Sequence, residues 1–521
     1  MSGLDADLRT PHCPVIKPRL DNIYKTYYLM SRAYFGDLHT VNYAYKTEPF
    51  DHQRDALETS ADKRDYAYFM EMGCGKSKVL IDNAAYLYEA GRISSLVIVA
   101  PKGVYRNWVL KEIPIHMPDR IPHQVGTWRS ALTKKQKAEL SDLVSYHEGL
   151  RVLVVNIEAF VSKKCVQFVE NFMEGERVMF VVDESTTIKN HKAKRTKVVT
   201  KLANRCAYRR ILTGSPVTQS PMDLYSQCAF LDPDLLGCDN YYQFQARYAI
   251  MKRISMGAHS FNKVVGYRNM EELSKMLKPF SSRVLKKDCL DLPDKTYTVR
   301  HVSLDPEQAQ HYHSMQKAAL VILEDETIFA QEAMTQLLRL QQILCGYLPI
   351  DDEGTLVDIP TRRLDALMDT IEETSGKIII WARFRKDIQR IEEALAKKYG
   401  FHSVGSYYGD TNEDAREELV RNFSDPDHET RFFVGNPQTA GYGLTLVSAN
   451  TVIYYSNDFN LETRAQSEDR CHRIGQKHPV TYIDLLAEGT VDEHIVRALQ
   501  NKIKLAGAAL GEEMREWLKV T

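Results

Sequence analysis

A short glycine-bearing stretch early in the chain has the residue types that bind a polyphosphate. Glycines let successive backbone N–H groups converge on phosphate oxygens, and the start of a helix adds partial positive charge. A lysine that follows can reach the β- and γ-phosphates, and a serine hydroxyl after it can ligate Mg²⁺. We therefore predict that a nucleotide with Mg²⁺ binds to Gly73, Cys74, Gly75, Lys76 and Ser77.

The match to the full phosphate-loop signature is partial, because Met70 stands where that signature has a glycine. A turn with an exposed lysine therefore stays an alternative. About 20 residues upstream, Gln53 has an amide that could both donate to and accept from an adenine edge, and Phe50 could stack on the base. Only their position before the loop favours this role.

Two carboxylates follow the apolar run 178–182. Asp183, at the end of a predicted strand, is suited to hold Mg²⁺ in a chain that also has a phosphate loop. Glu184 could orient or deprotonate the attacking water. The alternative is that the two carboxylates form an ordinary solvated acidic turn. The presence of Lys76 in a phosphate loop argues against that alternative.

Two further groups of cationic residues are candidates for phosphate contacts. Arg470 and Arg473 are spaced i and i+3, so on a helix they would project from one face toward a transferring phosphoryl group. A surface arginine pair is the alternative. The second group is a basic run between Thr187 and Leu212 without an acidic residue, which predicts contacts with a nucleic-acid backbone or, alternatively, a solvated face. It contains Lys189, Lys192, Lys194, Arg195, Lys197, Lys201, Arg205, Arg209 and Arg210.

Short apolar runs that alternate with helical patterns must position these residues. The runs are 66–69, 96–100, 152–155, 178–182 and 210–212, and similar runs resume at 378–381, 431–434 and 451–455. This alternation predicts an α/β fold with two parallel sheets. Ligands of such sheets bind beyond the carboxyl ends of the strands, which is where the candidate residues fall.

The domain organisation that we predict follows from this alternation. Residues 1–48 would be an N-terminal extension that packs on the first domain, or an aromatic platform for nucleic acid. The first domain would span 49–290, with a helical insertion at about 237–282. A linker and a helical insertion would occupy 291–345, the second domain 346–500, and a C-terminal helix 501–521.

Composition limits the classes of protein that fit. The 521 residues carry a net charge of −1, so attraction to a polyanion would have to be local. The nine cysteines are scattered without a C-x-x-C pair, which argues against a zinc ribbon and against a disulfide framework. We expect no membrane span and no secretory signal, and therefore a cytoplasmic protein, or a nuclear one in a eukaryote.

Together these motifs resemble the Swi/Snf-like family of superfamily-two helicase-related ATPases. The most specific part runs from Arg464 to Gln476 and ends in His-Arg-Ile-Gly-Gln. Further similar segments are Leu212 to Pro216, Ile188 to Asn190, Leu292 to Thr296 and Gly489 to Glu493. The resemblance implies two RecA-like domains in tandem, with ATP at their interface, and an ATPase that DNA stimulates and that tracks along duplex DNA.

The resemblance also implies roles for residues that the motifs alone leave open. Gln466 would complete the ATP site from the second domain, together with Arg470 and Arg473. Motifs that face DNA or couple it to ATP would include Pro101, Lys102, Thr213 and Gly441.

The chain departs from the family after the acidic pair, where Thr186 replaces a histidine that couples hydrolysis to nucleic acid. The compact core favours a bacterial or phage-type protein that acts as a monomer. Two other functions stay open. One is a DNA helicase that separates strands or migrates branched junctions, and the other is a nucleotide-gated DNA clamp with weak turnover.

Overall fold

The computed structural model describes residues 43–102, 104–129, 132–256, 259–324, 330–349, 355–440 and 444–510. Residues 1–42 of the predicted N-terminal extension lie outside this range. The strands, numbered β1 to β17 in chain order, are Asp65–Met70, Ser95–Ala100, His123–Trp128, Leu150–Asn156, Val178–Asp183, Tyr208–Leu212, Ala249–Met256, His259–Tyr267, Ser281–Val284, Lys295–Val302, Tyr347–Pro349, Leu356–Asp358, Lys377–Trp381, Val404–Tyr407, Phe432–Gly435, Ala449–Tyr454 and Val480–Ala487.

The α-helices, numbered α1 to α19 in the same way, are Asp51–Ser60, Lys76–Glu89, Tyr105–Asn107, Ile113–His116, Lys134–Ser145, Lys163–Met173, Lys194–Ala203, Asp223–Leu231, Tyr241–Tyr248, Met270–Leu277, Lys286–Cys289, Pro306–Glu324, Ala330–Leu344, Arg363–Glu372, Arg385–Tyr399, Glu413–Ser424, Pro437–Ala440, Leu461–Glu468 and Val491–Leu510. A π-helical turn, Trp108–Glu112, joins α3 to α4. Short 3₁₀ turns are Ile157–Val161, Ser185–Ile188, Pro233–Leu236, Lys278–Phe280 and Phe401–Ser403.

The first sheet has seven strands in the order β3-β4-β2-β5-β6-β1-β9, and all its pairs are parallel. Its central strands β2 and β5 are buried along their whole length, with Ile98 opposite both Val154 and Val181. Parallel strands covered on both faces by helices need apolar side chains at every position, not at alternate ones. This is why the apolar runs predicted these strands correctly.

The second sheet has six parallel strands in the order β10-β17-β16-β13-β15-β14. Its central strand β13 packs Ile378 and Ile380 into one core and Ile379 and Trp381 into another, on the opposite face. The predicted fold class, an α/β chain with two RecA-like parallel-sheet domains in tandem, is confirmed.

Two segments differ from the sequence-based expectations. Strand β10, which begins inside the predicted linker, pairs with β17 along its whole length and so belongs to the second sheet. Within the predicted helical insertion at 237–282, β7 and β8 form an antiparallel hairpin between α9 and α10. The hairpin contains β-branched residues such as Ile250, Ile254 and Val265, and this composition favours strands over helices. The domain boundaries themselves stay predictions.

The last helix, α19, contacts both domains. Its first half packs Val491, Ile495 and Leu499 into a core that also contains residues of α12, α13 and α18. Its end reaches the core of the first sheet, where Ala509 is fully buried near α10. One continuous helix over 491–510 therefore replaces the start of the predicted C-terminal helix at 501–521, and residues 511–521 lie outside the described range.

Among the described residues, no helix combines the length and the apolar character that crossing a membrane requires.

Candidate active site at the domain interface

The phosphate-loop residues run from the end of β1 into the first turn of α2, as predicted. Gly73 and Gly75 both have φ of 82°, a left-handed conformation that favours glycine. A Cβ on Gly75 would collide with the Gln53 side chain, which would have to move away from the loop. Met70, at the position where the full signature has glycine, is the last residue of β1 and is completely buried. It is absent from the positive-φ residues, so this position does not require a glycine.

The Lys76 ammonium donates a hydrogen bond of 3.0 Å to the Met70 carbonyl oxygen, and Glu71 O lies 3.5 Å away. Lys76 is buried at the carboxyl end of the sheet, close to Asp183 and Glu184. Burial raises the pKa of both carboxyls, and the charge of Lys76 opposes that increase. The lysine is therefore folded back over the loop that it is predicted to serve.

Gln53, a residue of α1, holds the phosphate loop in place through hydrogen bonds. Its Oε1 accepts a hydrogen bond from the Phe50 N–H (3.1 Å), and its Nε2 donates to the Cys74 carbonyl (3.2 Å). His52 contacts the same carbonyl at 2.9 Å. Phe50 is half exposed and stacks on His52 with centroids 5.8 Å apart. An exposed ring next to the loop is compatible with base stacking, and adenine recognition by Gln53 stays a prediction.

Asp183 and Glu184 lie at the end of β5, beside Lys76. Asp183 Oδ2 accepts a hydrogen bond from Trp108 Nε1 (2.9 Å), and its Oδ1 accepts from the Glu184 N–H (3.0 Å). Glu184 has a φ of 46°, which is rare for a residue with a side chain and common at functional sites. Thr213 Oγ1 donates to Glu184 Oε2 (3.3 Å). Burial raises the pKa of both carboxyls, against the opposing effect of Lys76.

These groups fit a cation that prefers oxygen ligands, such as Mg²⁺, rather than a metal that prefers nitrogen or sulfur. The candidate ligands are the Ser77 hydroxyl and the Asp183 carboxylate, which are hard oxygen donors. In the described part of the chain, no group of three or more His, Cys, Asp or Glu side chains could hold a metal ion. A bound Mg²⁺ would therefore depend on phosphate oxygens for part of its coordination, as is usual at nucleotide sites.

Arg470 and Arg473, from the second domain, lie against the phosphate loop of the first. Arg470 is buried, and its Nη2 lies 3.8 Å from Met72 Sδ. A Cβ built on Gly73 would lie 3.9 Å from Arg473 Cβ. Nη1 of Arg470 and Nη1 of Arg473 both donate to the Leu444 carbonyl, at 3.4 and 3.1 Å.

The prediction that the two arginines share a helix face is wrong, because α18 ends at Glu468. The chain turns back there, and the Gln476 amide donates to the carbonyls of Ala449 (2.8 Å) and Cys471 (3.2 Å). This anchors the turn to β16. The arginines are brought together by a fastened loop and not by helical spacing.

Helix α18, which precedes that loop, is held on the second sheet by a buried ion-pair network. Arg464 donates to Asp484 of β17 at 2.6 Å and to Glu468 at 2.9 Å, and its guanidinium lies 3.5 Å from the centre of the Tyr454 ring. The paired cations Lys295 and Arg464 lower the pKa of Glu468 to about 2, against the effect of burial. Gln466 projects from this helix and donates to Glu462 Oε1 (3.3 Å).

A lysine that the sequence analysis missed joins the two domains beside the phosphate loop. Lys286 Nζ forms an ion pair with Asp469 (2.5 Å) and donates to the His472 carbonyl (2.6 Å). Its backbone N–H donates to Glu71 Oε2 (2.9 Å). The adjacent lysines 286 and 287, directly before the predicted linker, were the only signal in the sequence.

The predicted nucleic-acid residues fall into exposed and buried groups. Lys102 and Lys192 are exposed, and Arg195 is partly buried with an Nε that lacks a partner among the described residues. Lys189 donates to Thr218 Oγ1 at 2.6 Å. Pro101 and Thr213 are buried, and Gly441 lies outside the described residues.

The end of the basic run is internal, which corrects part of the prediction. Arg209 is buried and pairs with Asp65 at 2.5 Å. Arg210 is completely buried and donates to Asn83 Oδ1 and to the carbonyls of Ser60 and Lys63. Both arginines join β6 to neighbouring elements of the fold, so they are unavailable to a nucleic acid.

Comparison with known proteins relates this arrangement to a family. The model of the SNF2-related domain matches residues 64–347, and that of the helicase conserved C-terminal domain matches residues 362–475. The chain is 26% identical over 457 residues to a probable ATP-dependent DNA helicase, CHR12, of Arabidopsis thaliana, and covers 39% of that protein. It is 24% identical over 465 residues to the transcription regulatory protein SNF2 of Saccharomyces cerevisiae, and covers 26% of it.

These alignments use 83% and 84% of the chain, but only 39% and 26% of the two relatives. The chain therefore spans well under half the length of these curated relatives. Among solved structures, it is similar to a Sulfolobus solfataricus SWI2/SNF2 ATPase core in complex with dsDNA. The identity is 25%, the coverage 92% of this chain and 97% of the other, and the TM-score 0.40.

These matches confirm the predicted family. Since the SNF2-related model alone matches more than half of its residues, the chain belongs to the SNF2-related family.

Proposed function

We propose that the chain hydrolyses ATP between its two parallel-sheet domains and uses the closure of those domains to move along duplex DNA. One observation carries the proposal: Arg470 and Arg473 lie against Met72 and Gly73, although nearly 400 residues separate them in sequence. Cationic groups that lie at a phosphate loop only when two domains meet are suited to phosphoryl transfer that depends on domain closure.

Each residue of the site would have a defined part in the reaction. Lys76 would leave the Met70 carbonyl and turn to the β- and γ-phosphates, while backbone N–H groups of the loop hold the other oxygens. Ser77 and Asp183 would hold Mg²⁺, which when bound supplies positive charge to the phosphate oxygens. Glu184 would orient the attacking water and accept its proton. The arginines would stabilise the charge that develops on the transferred group.

Duplex DNA is the partner that we propose. The exposed Lys102 and Lys192, together with Arg195, supply local positive charge on a chain of net charge −1. The relative from Arabidopsis thaliana is named as a probable ATP-dependent DNA helicase, and this supports DNA as the substrate track. We also propose that the protein acts as a monomer, and that it works in a bacterial or phage-infected cytoplasm, or in a nucleus if its host is a eukaryote.

The test is phosphate release from the full chain with and without duplex DNA. We expect DNA to stimulate turnover, and Lys76→Ala to abolish it because the ammonium at the phosphates is lost. Lys135→Ala, an exposed lysine of α5, is the matched control and should leave turnover unchanged. Wild-type turnover in Lys76→Ala would remove the phosphate-loop assignment.

Strand displacement on forked and four-way DNA separates this proposal from the alternatives. A translocase that leaves strands paired should displace a bound protein but not a DNA strand. Displacement of the strand would favour a helicase, and nucleotide-dependent DNA binding without turnover would favour a clamp.

A further inference from the structure

The helical segment after β2 contains one π-helical turn, Trp108–Glu112, between α3 and α4. The N–H of Ile113 bonds to the Trp108 carbonyl, five residues back, as a π turn requires. Pro114 has no N–H to donate to the Leu110 carbonyl, which gives a local reason for the altered pattern. π turns inside helices occur frequently at functional sites. The contacts that the residues of this turn make can therefore indicate a function.

The first and last residues of the turn contact the two residues that would hold Mg²⁺. Trp108 is almost completely buried, and its Nε1 donates to Asp183 Oδ2 at 2.9 Å. The Glu112 carboxylate lies beside the Ser77 hydroxyl, and its Oε2 is 4.0 Å from His116 Nε2. Asp183 and Arg473 are also close enough to change the pKa of Glu112, in opposite directions, and burial raises it. A single turn thus places one residue beside each of the two predicted ligands.

We propose that Trp108 and Glu112 are positioning residues for the metal of the ATP site, an inference that rests on the proposed function. The Trp108 N–H fixes the rotation of the Asp183 carboxylate and leaves lone pairs of both oxygens for the metal or its waters. The Glu112 carboxylate would accept a hydrogen bond from the Ser77 hydroxyl, so that the serine lone pairs point to the metal and its oxygen becomes a stronger donor. Such partners of metal ligands change metal affinity by about 10- to 100-fold.

Simple packing is the competing explanation for the tryptophan. Trp381 is a fitting comparison, because it is also completely buried and its Nε1 has no partner among the described residues. A buried tryptophan in this protein therefore does not need a carboxylate partner. Substitution of either tryptophan by phenylalanine keeps an aromatic ring but removes the N–H and part of the side-chain volume. Trp381→Phe therefore measures the effect of the lost volume alone, and Trp108→Phe adds the loss of the hydrogen bond to Asp183.

The experiment measures metal binding independently of turnover. Mn²⁺ replaces Mg²⁺, and its affinity is measured by electron paramagnetic resonance with ADP present, while ADP affinity is measured separately in EDTA. We expect Trp108→Phe and Glu112→Ala to weaken Mn²⁺ binding by about 10- to 100-fold. Glu112→Gln, which keeps an acceptor oxygen, should restore part of the loss. ADP affinity in EDTA, and all values for Trp381→Phe, should change less than twofold.

Two results would overturn the inference: unchanged Mn²⁺ affinity in Glu112→Ala, or an equal loss in Trp381→Phe and Trp108→Phe. Glu112→Ala keeps the test decisive if Trp108→Phe does not fold. The proposed function fails in a different way, since a wild-type chain that binds Mn²⁺ and ADP but releases no phosphate from ATP would refute hydrolysis alone.

Discussion

The Thr186 hydroxyl donates a hydrogen bond of 2.7 Å to Glu462 Oε1, and the two residues belong to different domains. Thr186 follows the acidic pair that would serve Mg²⁺ and water, and Glu462 lies in the first turn of α18. Gln466 donates to the same oxygen, and Glu462 is close enough to Glu184 to raise its pKa. Where the family usually has histidine, this chain thus has a direct hydrogen bond between its domains.

We expect Thr186→Val to reduce the stimulation of ATP turnover by DNA. Valine keeps the shape but removes the donor, and a hydrogen bond to a charged group contributes about 1.5–3 kcal/mol, so a loss of about 10- to 100-fold is expected. The measurement is phosphate release with and without duplex DNA. Thr200→Val on α7 is the control. Full stimulation in Thr186→Val would show that this hydrogen bond does not transmit the effect of DNA.

Glu184→Gln should preserve nucleotide binding and slow hydrolysis by about 10²- to 10⁴-fold, because the water loses its base while Asp183 is unchanged. Equilibrium binding of ATP and single-turnover phosphate release check the two halves of this prediction. The exposed Glu139→Gln is the matched control. Loss of ATP affinity in Glu184→Gln would mean that the roles of the two carboxylates are assigned wrongly.

Arg473→Ala should lower DNA-stimulated turnover by about 10³-fold or more, the contribution expected of an arginine at phosphoryl transfer. DNA affinity without nucleotide should stay near the wild-type value, since Arg473 lies at the phosphate loop. Arg421→Ala, an exposed arginine of the same domain, is the control. Turnover near the wild-type level in Arg473→Ala would argue against a site shared between domains.

Replacing Lys192, Lys194 and Arg195 together by alanine should make DNA binding less sensitive to salt. Each lost contact with a duplex phosphate should reduce the log–log slope by about 0.9. The control replaces Lys134, Lys135 and Lys137 on α5, which removes the same charge from another exposed face. An unchanged slope in the first triple variant would mean that this segment is an ordinary solvated surface and does not contact DNA phosphates.

The stability of the second domain should fall as the pH rises from about 4 to 7, because of Asp387. Burial raises the pKa of this carboxyl to about 7, so the folded state holds a proton that the unfolded state loses near pH 4. The associated stability is complete below the unfolded pKa and is lost as the pH passes the folded pKa. Each pKa unit corresponds to about 1.4 kcal/mol.

Asp387→Asn should flatten this pH dependence. Urea midpoints between pH 4 and 8, followed by tryptophan fluorescence, measure it, and the exposed Asp414→Asn is the control. A wild-type slope in Asp387→Asn would assign the effect to other groups.

The parts of the fold that the sequence predicted well share a physical cause. Central parallel strands such as β2 and β5 are apolar at every position, so they stand out without further information. The edge strand β14 has only four residues, and the β7–β8 hairpin carries charged side chains because it meets water. Neither gives a continuous apolar run, so the sequence analysis missed both. Residues whose type is common both in cores and in functional sites were also missed. From the sequence alone, Trp108 would be assigned to the hydrophobic core, and only the structure shows its hydrogen bond to Asp183.

The site was predictable where neighbours in sequence are neighbours in space. Lys76 and Ser77 follow the glycine loop directly, and Asp183 ends a strand, so their meeting follows from sheet topology. The position of Arg470 depends on Gln476 and on carbonyls of a distant strand, which no local pattern encodes. Lys286 had no assigned role for the same reason, since its partners lie in the other domain.

The last helix sets a geometric limit on how the two domains can move. The chain passes between them near Leu292, and α19 joins them again, with Ile495 in one core and Ala509 in the other. Two bodies joined at two separate places keep one easy motion, a rotation about the line through both joints. If the proposed function holds, a closing step of the two domains would therefore be a rotation about this line.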